Sequence, residues 1–141
     1  LKVLVEEIHS VVVATVDETG HPHTAVMDMM WEDGKTVYFL TADFKPLYKR
    51  LKEDGRVALT GMTQGAGTMD RKSISLTGQV EWIGKEHLEE LLEANPYMYE
   101  IYPTEEGRSH LQVFRFKNSV GNFYDLTQLP PYQARFEIEG R

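Results

Sequence analysis

The chain has 141 residues, 41% of them hydrophobic and 26% charged, which fits one globular domain with its own core. With 22 acidic against 15 basic residues the net charge is −7, which repels nucleic acid and anionic membranes unless the basic residues cluster. No cysteine is present, which excludes disulfides, thiolate nucleophiles and cysteine-based metal sites, and no apolar run approaches the roughly 20 residues of a membrane span.

Residues 1–9 read as a short helix with Val3, Leu4, Val5 and Ile8 on one stripe. Val11–Asp17 is the first expected strand, and "ETGHP" turns the chain into a second at His23–Trp31. "EDGK" is a hairpin signal leading into a third strand, Thr36–Thr41. Leu47, Tyr48 and Leu51 then mark a one-faced helix that stops at Gly55. Arg56–Thr63 is a fourth strand and "QGAGTMD" a loop. Lys72–Ile83 is a long fifth strand, with a bulge or a close backbone approach expected at Gly78. Lys85–Ala94 is helical, and Asn95-Pro96 opens another short helix holding Tyr97, Met98, Ile101 and Tyr102. Leu111–Phe116 and Asn122–Leu126 are the last expected strands. The expected class is α+β, mainly β: six to seven antiparallel strands closing into a small split barrel with flanking helices. Residues 138–141, Ile-Glu-Gly-Arg, match the cleavage site of factor Xa, a protease used on recombinant proteins, so 1–137 is read as one domain and 138–141 as an added tail.

The junction between the third strand and its helix gathers chemistry. Thr41 ends the strand, Pro46 suits a first helical turn, and Lys45 stands beside it, with Lys49 and Lys52 on the same helical face. Free N–H groups, the helix dipole and an ammonium together make a phosphate seat. The competing reading is that Lys49, Arg50 and Lys52 are the solvated side of an amphipathic helix.

In order and spacing, "VVVATVDETGHPHT", "MMWEDGKTVYFLTADFKPLYKRLKEDGRVAL", "SLTGQVEWI", "LLEANPYMYEIY" and "VFRFKNSVGNFYDLT" resemble the flavin-binding split-barrel family, the pyridoxamine-phosphate-oxidase-like proteins, in its small single-domain members. The resemblance implies that 1–137 is a single FMN-binding domain. It also implies a homodimer holding one FMN in each of two clefts at the subunit interface. Carried over by position, Thr24, Ala25 and Val26 run beside the flavin ring. Leu40 and Thr41 contact ring and ribityl chain, and Lys45 pairs with the phosphate. Two departures stand out. Relatives often place an arginine where this chain has Ala25, and tryptophan and arginine where it has Ser73 and Ser75; Arg71 is the candidate replacement.

The implied function is a flavin-dependent oxidoreductase acting on an unidentified small molecule, with NADH or NADPH as candidate donor. No catalytic residue and no metal site is assigned. The alternatives are a non-catalytic flavin store or redox sensor, a binder of F420 or of haem (through His23 or His110), and a dimer that has lost its cofactor. Other motifs have simpler readings: His21-Pro22-His23 is a turn, His9-Ser10 is no nucleophile pair, Gly65-Ala66-Gly67 is a loop, and Glu6-Glu7 and Glu89-Glu90 are helix surface. Tyr97, Tyr99 and Tyr102 are packing residues or the lining of a ring pocket. The expected location is the cytoplasm, with no nucleic-acid or membrane partner.

Overall fold

The computed structural model describes residues 1–140; Arg141, the last residue of the expected tail, lies outside them. The apolar stripe at the start winds as a π-helical turn over Val3–Ile8, shorter than the helix expected there. It closes on His9, whose N–H donates to the Leu4 carbonyl at 2.8 Å. Strands β1 (Ser10–Val16) and β2 (Pro22–Asp28) follow as an antiparallel pair around the ETGHP turn, where Gly20 takes φ +86°.

The second expected strand does not run through to Trp31. It breaks after Asp28 because its two ends serve different neighbours. The Met29 N–H donates to His9 O at 2.7 Å, beside β1, and the Met30 N–H donates to Tyr38 O at 2.9 Å. The short β3 (Trp31–Glu32) then pairs with β4 (Val37–Ala42). This segment therefore spans the two ends of the sheet and closes it into a split barrel. The sheet order is β2-β1-β5-β6-β7-β4-β3, with β5 at Arg56–Met62, β6 at Lys72–Gly84 and β7 at Leu111–Asp125.

Two expectations are corrected in the last third of the chain. The separate strands at 111–116 and 122–126 are one strand, β7, because β4, β6 and β8 all bond to it along its length. Strand β8 (Tyr132–Ile138) was not expected. Its alternation of Tyr132, Ala134, Phe136 and Ile138 is the period-two signal of a half-buried strand. Ile138, the first residue of the factor Xa motif, is buried and pairs with Ser119. At Gly78 both expected features occur. The β6–β7 register shifts between Thr77 and Gln79, and a Cβ at Gly78 would sit 2.1 Å from Ser119 Oγ.

The first helix, α1 (Pro46–Glu53), plugs one end of the barrel with Leu47 and Leu51. Helices α2 (Leu88–Ala94), α3 (Met98–Ile101) and α4 (Glu105–Arg108) form a cap; α4 was not anticipated. All six residues of β4 are buried, since the strand is covered on both faces. Val37 and Phe39 point into the barrel, against Phe114 and Phe116, while Tyr38, Leu40 and Ala42 point outward beneath α2 and α3, against Leu91, Leu92 and Met98. Asn95 ties cap to barrel: its side-chain amide donates to Met30 O and Leu91 O, both at 2.8 Å.

Candidate functional site

At the end of β4 the chain turns through Asp43, whose N–H donates to His110 O at 2.8 Å, and the Lys45 N–H closes the turn on Ala42 O at 3.1 Å. Lys45 is the N-cap of α1, in extended conformation, with no side-chain cap and Pro46 just inside the helix. The Leu47 N–H consequently has no acceptor within the helix, no acidic residue stands in the first turn, and the Lys45 side chain is exposed. The remaining basic residues of α1 divide. Arg50 Nε donates to the buried Thr15 hydroxyl at 2.8 Å, and the Lys52 ammonium lies 4.5 Å above the Trp82 ring. Those two are packing residues, so the expected three-lysine face reduces to Lys45 and Lys49.

Across the split, His23 of β2, Pro46, Lys49, Arg50 and Glu53 of α1, and Asp17, Glu18 and Thr19 of the turn between β1 and β2 line one cavity of about 240 Å³, which sets three carboxylates beside two cations. Asp17 forms the rim. It accepts from the Thr19 hydroxyl at 2.7 Å, from His23 Nε2 at 2.8 Å and from the N–H groups of Thr19 and His21. The Thr19 hydroxyl first, and His23 second, hold its carboxyl well below the usual carboxylate range. His21-Pro22-His23 is therefore a turn organised by Asp17. Among the described residues no group of three or more metal-ligating side chains is gathered.

The other residues carried over by resemblance fall in different places. Thr24 and Val26 face outward and are exposed, whereas Ala25 packs inward against the barrel core. Thr41 is buried on the barrel face of β4, and Leu40 is covered by the cap. Arg71 lies where β6 meets Asp125, thirteen residues along β7 from Gln112, the partner of Thr41. Its guanidinium donates to Gly65 O at 3.1 Å, and its buried Nε makes no hydrogen bond. One copy of the chain does not bring Arg71 to Lys45.

The outward face of the sheet is the feature that reading along the chain missed. Two cross-strand rows run over it: Val26, Val12, Thr60, Ser75 and Asn122, and beside them Thr24, Ala14, Ala58, Thr77 and Val120. None of the ten is charged. Val26 is 72% and Val12 44% exposed. The signal was present as in–out alternation on each strand, but only strand order assembles it into a surface. The uncapped start of α1 and Lys45 supply positive potential for a phosphate-sized anion, and the uncharged rows supply an exposed surface without charge for an apolar ring system. These residues fit a phosphate-tailed aromatic cofactor, with Leu40 and Arg71 outside the single-copy site.

Residues 1–124 match the family model described as pyridoxamine 5'-phosphate oxidase. No curated protein sequence matches the chain. Among solved structures, a NimC/NimA family protein from Clostridium acetobutylicum superposes with a TM-score of 0.73 at 21% identity, over 94% of this chain and 87% of that one. A haem-binding protein from Mycobacterium smegmatis gives 0.72 at 13% identity, over 96% of this chain and 55% of that one. An FMN-binding protein related to pyridoxamine 5'-phosphate oxidase, from Nostoc punctiforme, gives 0.62 at 13%, over 92% and 81%. At these identities the likenesses are likenesses of fold.

Proposed function

The chain belongs to the pyridoxamine 5'-phosphate oxidase family, and on that premise we propose that it is an FMN-binding homodimer that works as a flavin-dependent oxidoreductase on a small molecule. The observation that carries this reading is the uncapped start of α1, where the exposed Lys45 and the Leu47 N–H flank Pro46, a lining residue of the cavity shared with His23 of β2. Lys45 and that N–H would hold the phosphate, and the Thr24 and Val26 surface would carry the ring. Bound there, the flavin supplies the hydride or electron chemistry. The residues of this chain bind it, orient it and exclude water.

The uncharged stretch of the outer face from β2 to β7 supports the homodimer; on β8 the same two rows end in the Arg135–Glu137 ion pair. An uncharged sheet surface with exposed valines matches the fully buried centre of an interface, where charged residues are depleted. A second copy on that face would cover it and turn an open surface into a cleft. NADH or NADPH is the electron donor in this reading. A flavin store or redox sensor would use the same seat without turnover.

The test is direct. The purified protein is examined for bound flavin, then titrated with FMN, and the complex is mixed with NADH or NADPH without oxygen. Yellow colour bleached by a nicotinamide supports the oxidoreductase; binding without bleaching supports the store; no binding removes both. Lys45→Ala is expected to weaken FMN binding roughly 10- to 150-fold, the worth of one charge-assisted hydrogen bond. Unchanged affinity would move the phosphate elsewhere.

A haem-binding reading has one observation in its favour. The His110 Nδ1 is fixed by Asp43 Oδ1 at 2.9 Å, which leaves the other nitrogen of a half-exposed imidazole available as a ligand. A Soret band on adding haem, lost in His110→Ala, would favour it over FMN. F420 is the third cofactor to offer in the same titration.

A further inference from the structure

Both ring nitrogens of His9 are engaged. Nδ1 lies 3.1 Å from the Val5 carbonyl oxygen and Nε2 lies 2.8 Å from the Tyr97 hydroxyl. That hydroxyl lies 2.8 Å from Asp28 Oδ2, and the other Asp28 oxygen accepts from Ser10 Oγ at 2.6 Å. The backbone fixes the ring's position. The His9 N–H and C=O are both bonded, to Leu4 O and from the Met29 N–H, and its φ of 62° and ψ of −67° persist in a side-chain-bearing residue only when the surroundings over-determine them.

The row has three links: Val5 to His9, His9 to Tyr97, and Tyr97 to Asp28. Its two ends are a carbonyl oxygen and a carboxylate, which only accept. A neutral imidazole brings one hydrogen and a phenol brings one. Three links need three. We propose that the closed row binds one proton from solvent and works as a pH-sensitive latch that fastens the N-terminal turn Val3–Ile8 to the start of α3. Burial and then Asp28 push the Tyr97 hydroxyl up, which keeps it a phenol and leaves the count intact.

Carboxylates surround the row. Asp28 faces the row from β2, and Glu6 and Glu32 line a cavity of about 470 Å³ that His9 also lines. Glu7, the other carboxylate of the turn, is occupied by Lys72 at 3.2 Å. Val5 and Glu6 form one wall of that cavity, and Trp31 and Asn95 line it as well. Closing the latch takes up a proton, so lower pH favours the closed form. As pH rises and the proton leaves, one link breaks and the N-terminal wall of the cavity loosens.

The full chain allows a specific test. Its two tryptophans are Trp31 and Trp82, so Trp82→Phe leaves Trp31 as the only indole reporter of the cavity. Acrylamide quenching of Trp31 is expected to increase as pH is raised from about 5 to about 8. In the added background of Tyr97→Phe it should already be high at the low end of the range. The same pH profile with and without Tyr97→Phe overturns the latch. Nitrogen-15 spectra of the histidines in the unaltered chain provide a measurement free of any folding defect. At the low end of the range, with the Asp28 carboxyl followed by its carbon-13 shift, two protonated ring nitrogens on His9, or one bare nitrogen together with a protonated Asp28, supports the count. One bare nitrogen with Asp28 ionised overturns it.

Discussion

The outer face of the barrel and the helical cap are opposite surfaces on one small protein. Residues 86–106, which hold α2, α3 and the start of α4, carry seven of the 22 acidic residues and no lysine or arginine. The rest of the chain keeps 15 acidic residues against all 15 basic ones, so the whole net charge belongs to the cap. The ten residues of the two outer rows carry none. Charge of one sign keeps a surface wet, because burying it requires partners that the cap does not hold. The rows face solvent with no such obstacle to being covered. The two surfaces therefore differ in what a substitution does to them.

The largest effect is expected at Val26. A carboxylate there would be an unpaired charge buried in the proposed dimer, which costs roughly 3–5 kcal/mol. Val26→Asp should convert dimers to monomers in sedimentation, whereas Glu90→Lys on the cap should leave the association state unchanged. A monomeric parent, or a dimeric Val26→Asp, would break the contrast between the surfaces. The link between them is the next target. Asn95→Ala leaves the buried Met30 carbonyl without its donor, which should cost about 1–3 kcal/mol. The urea midpoint reads this loss. Equal stability would mean that the cap is not held to the barrel there.

The smallest effect concerns acid. The folded-state carboxyl of Asp17 is held below its ordinary value, so what it contributes is fully present above the usual carboxylate range and is lost only as pH falls through the folded value. Asp17→Asn should remove that acid dependence from the β1–β2 turn, followed through the His21 and His23 ring resonances. An unchanged acid limb would assign it to another group.

Most of the barrel could be read from the chain because its signals are local. β-branched runs between Gly, Pro, Asn and Asp turns placed β1, β2, β4, β5 and β6, and the Pro46 and Gly55 brackets placed α1. β7 was cut in two because Lys117, Asn118 and Gly121 look like a turn; strands on both sides hold it extended, with Asn118 at φ 47° taking up the irregularity. β8 is legible in its alternation, although its last residue, Ile138, also falls within the factor Xa motif. Within the candidate site, the phosphate seat was legible at Lys45 because strand end, proline and lysine are adjacent in sequence. Lys52 could not be sorted from Lys45, since its position over Trp82 depends on where β6 passes.

The sequence by itself determined β1, β4, β5, β6 and α1, their antiparallel character and the placing of one cationic helix start at a strand end, since each depends on neighbours within a few residues. Tertiary structure alone decided which side chains share a surface. Ala25 turned inward and Leu40 came under the cap, because strand faces acquire an inside only when the sheet closes. Arg71 was sent to the far end of β7, and His9, Asp28 and Tyr97, up to 88 residues apart in the chain, were joined in one hydrogen-bonded row. Contacts of that separation follow from strand order and register, which no local pattern of residues encodes.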